Sequence, residues 1–285
     1  MKIFSSRRNR SADTSFLIKE EEIFSELADK YGTGLFMGKY PVNAVLTVLK
    51  KRKFFKEAQK RKLWPLEFDL DSSDFPPLQR FRVFYSSKNP KNLIVDLKIS
   101  QSRYRIKNEI KIEWPLPEFK LLTLEWLTLQ NPLREFPEEK TPLPGQKHPG
   151  LNLGKKIIDL FIYLARLNRN DGILAFPSYF HNALLFSQYF HFVNPEKKAE
   201  VLAIRKTFPE LSFKELAWIV HLDCLLVNGK NIYKWTAEEQ ILPMNKLLEK
   251  YFKSKQYKDK VKEAQKFNDY SIDWDSYRRK RGQQK

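Results

Sequence analysis

The chain has 285 residues, of which 42% are hydrophobic and 14% aromatic, enough to bury a core and too many for a disordered chain. No apolar run approaches the roughly 18 residues of a membrane span, and Cys224, the single cysteine, excludes an intrachain disulfide and a thiolate zinc cage. The 52 Lys and Arg residues against 34 Asp and Glu leave a net charge of +18, which has two readings. A basic surface attracts phosphate polyanions such as nucleic acid, anionic lipid or a CoA nucleotide. Compositional bias is the other, since lysine outnumbers arginine 36 to 16. Arg7, Arg8 and Arg10 precede no apolar stretch, so no secretory signal is expected, and the reduced cysteine suits a cytoplasmic protein.

Residues 1–12 are polar and basic and read as a loose arm. Residues 14–19 predict a strand, and Ile23, Phe24, Leu27 and Ala28 a helix over 20–31. Gly32, Gly34 and Gly38 follow a helix, so their spacing reads as a turn and not as a nucleotide loop. Ala44, Val45, Val48 and Leu49 predict a helix over 43–63, with eight basic residues between Lys50 and Lys62. Trp64 and Pro65 end it. Residues 65–78, rich in Pro and Asp, read as a surface connection. Strands are expected over 81–86, 93–99 and 121–130, the first two joined by the turn SKNPKN, with an edge strand over 103–113.

Residues 131–149 form a loop with five prolines, long enough to suggest a functional role. A helix over 153–168, a short strand over 172–176 and a helix opened by Pro177 and Ser178 follow. Residues 196–208 and 212–220 read as helices, the second with Ser212 and Glu215 at capping-box spacing. Asn228 and Gly229 mark a hairpin. The remainder, 241–285, reads as a lysine-rich, mostly solvated helical tail. Strands alternating with helices imply an α/β fold: a mixed sheet covered on both faces.

Between the strand at 121–130 and the helix at 153–168, residues 146–156 read QKHPGLNLGKK, and three of the nine glycines fall within 145–154. Glycine lets backbone N–H groups approach an anion, and a helix N-terminus favours one. This segment is either a pyrophosphate site or a tight turn with an ordinary helix start. Glu125, among apolar residues in LTLEWL, would be a general base with raised pKa if buried. His148 precedes the anion loop, and His181 with Asn182 opens the following helix, near the carboxyl ends of the parallel strands. His191 and His221 read as structural, Cys224 as a buried thiol, and no spacing of the four histidines predicts a metal site.

The element order resembles the acyl-CoA N-acyltransferase (GNAT) superfamily over residues 13–236. In that family a Q/R-x-x-G-x-G/A loop grips the CoA pyrophosphate. Alignment on Gly154 places Asn152 at the first glycine and Pro149 at the Gln/Arg, both departures. Phe180 to Phe192 resembles the second signature, N-x-x-A-x-x-L-Y-x-x-x-G-F, with Phe186 where the family carries a tyrosine acid. The resemblance implies a GNAT-like domain over 13–240 flanked by the arm and the tail. Gly150, Leu151, Asn152, Leu153, Gly154, Lys155, Lys156 and Asn182 would hold an acyl-CoA, Gln146 and His148 would sit in the acceptor loop, and Glu125 or His181 would move the proton. The acceptor would be an amine on a small molecule or a protein. Two alternatives remain open: a non-catalytic GNAT-like module that binds acyl-CoA or a partner, and a basic protein that contacts nucleic acid non-specifically. The strings LPGQ-x-HPGL-x-LG and FHNA are also similar to an uncharacterised bacterial family labelled histone deacetylase. Such chemistry needs clustered Asp and His on zinc, and only His221 with Asp223 offers a fragment of that.

Overall fold

A computed structural model describes residues 35–283 except 75, 77, 108, 109 and 138. The expected basic arm, the strand over 14–19 and the helix over 20–31 lie outside the described residues. The chain divides into two compact units, residues 1–64 and 65–285.

In the first unit, β1 (Leu35–Phe36) and β2 (Tyr40–Pro41) pair through a turn that holds Gly38 at φ 66°, as the turn reading expects of that glycine, while Gly32 and Gly34 lie outside the described residues. The single helix expected over 43–63 is two: α1 (Val42–Lys51) and α2 (Phe54–Lys60). Lys53, at φ 62°, breaks the helix between them.

The second unit holds a seven-stranded sheet in the order β3-β4-β5-β6-β7-β11-β8. Its members are β3 (Leu66–Asp71), β4 (Leu78–Tyr85), β5 (Leu93–Tyr104), β6 (Phe119–Leu129), β7 (Gly172–Ala175), β8 (His191–Phe192) and β11 (Gln240–Pro243). Strands β3 to β6 form an antiparallel meander, cross-linked where Arg80 grips buried Asp96 through two 2.7 Å bonds. The Pro- and Asp-rich connection expected over 65–78 therefore contains a strand, because Leu66 and Phe68 alternate with charge and bury one face. Conversely, β5 runs on to Tyr104, and among the described residues of 105–113 there is no further strand.

The crossover from β6 to β7 is parallel, as the strand–loop–helix–strand order demands. Helix α3 (Gly154–Leu167) provides it, burying Ile158, Phe161, Leu164 and Ala165. On one face of the central strands, Leu121, Leu174 and Ile241 pack with Leu248, Tyr251, Phe252, Tyr257 and Val261. Leu122 and Ile173, on the other face, are 1% and 0% exposed, so both faces are covered.

These contacts correct the expectation of a solvated tail. Residues 241–285 include part of the interior strand β11, helix α7 (Lys246–Lys253) and helix α8 (Lys255–Ala264). Leu248, Tyr251 and Phe252 recur at i, i+3 and i+4, a stripe narrow enough to sit between lysines yet wide enough to pack. Only the last helix, α9 (Trp274–Gly282), buries no residue, and Arg281 still stacks 4.0 Å over the Trp218 ring.

The remaining elements are α4 (Phe180–Phe186), α5 (Pro195–Thr207), α6 (Phe213–His221) and a small sheet, β10-β9-β12. That sheet comprises β9 (Leu225–Val227), β10 (Asn231–Ile232) and β12 (Tyr270–Ile272). The capping box at Ser212 and Glu215 is formed. Asn228 and Gly229 turn the β9–β10 hairpin at φ 53° and 72°. Cys224 is buried, its thiol pushed up by desolvation, as expected of a structural cysteine.

Candidate functional site

The parallel ladder is short. Leu121 to Leu124 pair with Gly172 to Ala175, and there β7 ends while β6 continues to Leu129. One step further, β6 carries a bulge: Lys98 lies opposite Trp126 and Ile99 opposite Leu124, so Glu125 is the extra residue. A bulge leaves one residue out of the ladder and re-aims its side chain. Glu125 is exposed, contrary to the burial that a general-base role was expected to need, because the bulge turns it outward. It accepts a 2.7 Å bond from Ser100 Oγ. Trp126 and Phe176, just past the end of the ladder on each strand, are 47% and 38% exposed.

The segment leading to α3 alternates in burial. Leu151 and Leu153 are buried, while Gly150, Asn152, Gly154, Lys155 and Lys156 are exposed. Asn152 sits at φ 54°, the left-handed conformation that asparagine tolerates best among non-glycine residues. Leu153 caps α3 without a side-chain hydrogen bond, and no acidic residue occupies the first turn. A Cβ on Gly154 would meet nothing within 4 Å, so the fold itself makes no steric demand for glycine there.

The Pro-rich loop is closed at its neck, where Gln130 bridges Gly150 and the Asn131 N–H donates to Pro149 O at 2.8 Å. Trp218 Nε1 donates to Pro142 O at 2.8 Å, and Lys214 Nζ to Thr141 O at 3.3 Å. Gln146 closes a turn with Leu143, accepting the Leu143 N–H at its side chain and donating its own N–H to Leu143 O. His148 Nδ1 lies 3.4 Å from Arg134 O. Gln146 and His148 thus brace the loop.

His181 is elsewhere. It is 3% exposed, stacks on Tyr179 at 5.3 Å and meets the Phe213 edge at 6.3 Å. Burial first, then the neighbouring His221, pull its pKa down to about 4. The ring is therefore neutral at pH 7 and carries no imidazolium proton for the expected transfer. It lines a cavity of about 230 Å³ with Tyr179, His221, Asp223, Lys234 and Trp235. Among the described residues, neither Glu125 nor any member of 146–156 lines that cavity. His221, read as structural, is exposed and borders the same space. His191 is the structural one: it stacks on Phe252 at 4.9 Å with its pKa lowered, first by burial.

Asp223, Lys234 and Trp235 escape sequence reasoning because the cavity is gathered from three segments, 178–181, 217–223 and 234–235. Phe186 stacks on Phe190 at 5.3 Å, and Asn182 is half-buried on α4. Among the described residues no group of three His, Cys, Asp or Glu side chains could hold a metal ion, and no helix is long and apolar enough to cross a membrane. No family model, curated protein or solved structure matches the chain.

Proposed function

We propose that the chain is an acyl-CoA-dependent N-acyltransferase of GNAT-like build. The observation that carries this reading is the ending of the β6–β7 ladder at Leu124 and Ala175, directly before the Glu125 bulge. Two parallel strands that stop pairing leave room for an extended arm between them, bordered by exposed Trp126 and Phe176. Backbone N–H groups released by the bulge would polarise a thioester carbonyl. Downstream, the residues from Gly150 to Lys156 lead into a helix start with no side-chain cap, suited to a pyrophosphate. Glu125 would take the proton of the attacking amine, held in position by Ser100 Oγ. The amine nitrogen bonds to the carbonyl carbon, the carbon–sulfur bond breaks, and CoA leaves as thiolate. Phe186 has no proton to give, but a thiol of pKa about 8.5 is a tolerable leaving group.

Phe186 and the neutral His181 also favour a second reading, a module that binds acyl-CoA without turnover. Calorimetry with CoA on wild type and Gly154→Asp tests both. The aspartate finds open space, so the fold should survive, while its charge repels a pyrophosphate. Lys155→Ala should cost about fivefold or less, as a solvated charge contact does. Unchanged affinity in Gly154→Asp would move the site elsewhere. Binding without acetyl-CoA turnover on an amine panel would select the second reading.

A further inference from the structure

The cavity beside His181 contains polar groups that the fold leaves unused. His181 is almost wholly buried, yet among the described residues it makes ring contacts and no hydrogen bond. Its ring nitrogens are not among the sealed side-chain atoms that lack a partner, so they open onto the cavity, where a group that enters can bond to them. Half-buried Asp223 and exposed Lys234 border the same space with opposite charges, and among the described residues neither has a protein partner for its charge. Asp223 is set at φ 55°, in the turn that follows α6. Its backbone N–H donates to Val220 O, and its carboxylate is left without a donor.

The walls are firm. Trp235 Nε1 donates to Pro177 O at 3.1 Å, and Tyr179 stacks on His181. At about 230 Å³, the space is below the roughly 300–1,000 Å³ of drug-sized sites, so its occupant is small.

We infer that this cavity binds a free amino acid or a close analogue, with its ammonium on Asp223, its carboxylate on Lys234, its side chain between Tyr179 and Trp235, and a polar contact to His181. One carboxylate and one ammonium left unpaired around a small aromatic-walled space match a zwitterion, whereas a simple amine would leave Lys234 unused and a simple anion would leave Asp223 unused. The inference names the acceptor class of the proposed transferase, and it rests on that reading for the ligand's role alone. Ser178, on the cavity wall, is three residues beyond Ala175, where β7 and its ladder with β6 end.

The test is calorimetric titration of the full chain with the free L-amino acids, without CoA. At least one should saturate with a Kd below about 1 mM. Its N-acetyl form and its amide should each bind about tenfold or more weakly, as should the amino acid itself to Asp223→Asn and Lys234→Gln. Asparagine tolerates positive φ and Lys234 is exposed, so both variants should keep the wild-type circular dichroism and melting temperature. Three outcomes overturn the inference: no binding at about 10 mM, an N-acetyl form that binds as tightly, or charge variants that bind like wild type. Because the titration contains no CoA, its failure leaves the acyl-CoA reading intact, and a protein that binds no CoA leaves this one intact.

Discussion

The Tyr179 hydroxyl occupies the place where a side chain on Gly145 would have to go. Gly145 sits at φ 78°, so the Pro-rich loop turns at the one residue type that fits both the backbone and the contact. Tyr179 cannot yield easily, because it stacks on His181. Gly145→Ala should therefore lose about 1–3 kcal/mol in chemical denaturation. Gly229→Ala, at φ 72° with open space around it, isolates the backbone cost and should lose about 1 kcal/mol. Equal losses would show that the loop does not press on Tyr179.

His181 links stability to pH. Its folded pKa of about 4 lies below its ordinary 6.5, chiefly through burial. Between those values the unfolded chain binds the extra proton, so the contribution is fully present above pH 6.5 and is lost as the pH falls toward 4. The loss is of the order of 3 kcal/mol. Denaturation of wild type and His181→Phe across this range should show wild type falling more steeply on acidification, since phenylalanine keeps the stack without titrating. His191, shifted the same way, contributes equally to both proteins. Parallel curves would mean that His181 is solvated.

Glu125 carries the proton step of the proposed reaction. Glu125→Gln should lower acetyl-CoA turnover by about 100-fold while CoA affinity stays unchanged, since the side chain points away from the ladder. Ser100→Ala should lower turnover less, because the carboxylate remains and only its orientation loosens. Turnover that survives Glu125→Gln would transfer the role to water or another group.

The C-terminal segment belongs to the core. Tyr251→Ala should destabilise by about 3 kcal/mol or more, as a fully buried ring among Phe252, Tyr257 and Leu248. Lys255→Ala, exposed on α8, should stay within about 0.5 kcal/mol. A chain ending at residue 245 should fail to fold by circular dichroism, and a folded product would restore the tail reading.

Elements with a strong local signal were legible in the sequence. The apolar stripe of α3, the capping box at Ser212, the Asn228 and Gly229 hairpin and the parallel order of β6 and β7 follow from periodicity, turn chemistry and element order. Asn152 at positive φ was legible too, because side-chain chemistry limits which residues tolerate that conformation. The alternation of Leu66 and Phe68 with charge offered β3 and was masked by the prolines and aspartates that follow.

Other features exist only in the folded chain. Strand β11 spans four residues, too few for a period, and is a strand because β7 and β8 flank it. The exposure of Glu125 depends on a bulge, which is a mismatch between two strands and belongs to neither alone. The cavity gathers residues from 178–181, 217–223 and 234–235. Burial then sets the charge of His181, and a buried imidazole and a solvated one have the same letter. Local backbone preference is written residue by residue, so the sequence alone determined the elements with a strong local signal. Which side chains share a space, and which of them stay unpaired, depends on long-range pairing that only the tertiary structure decided.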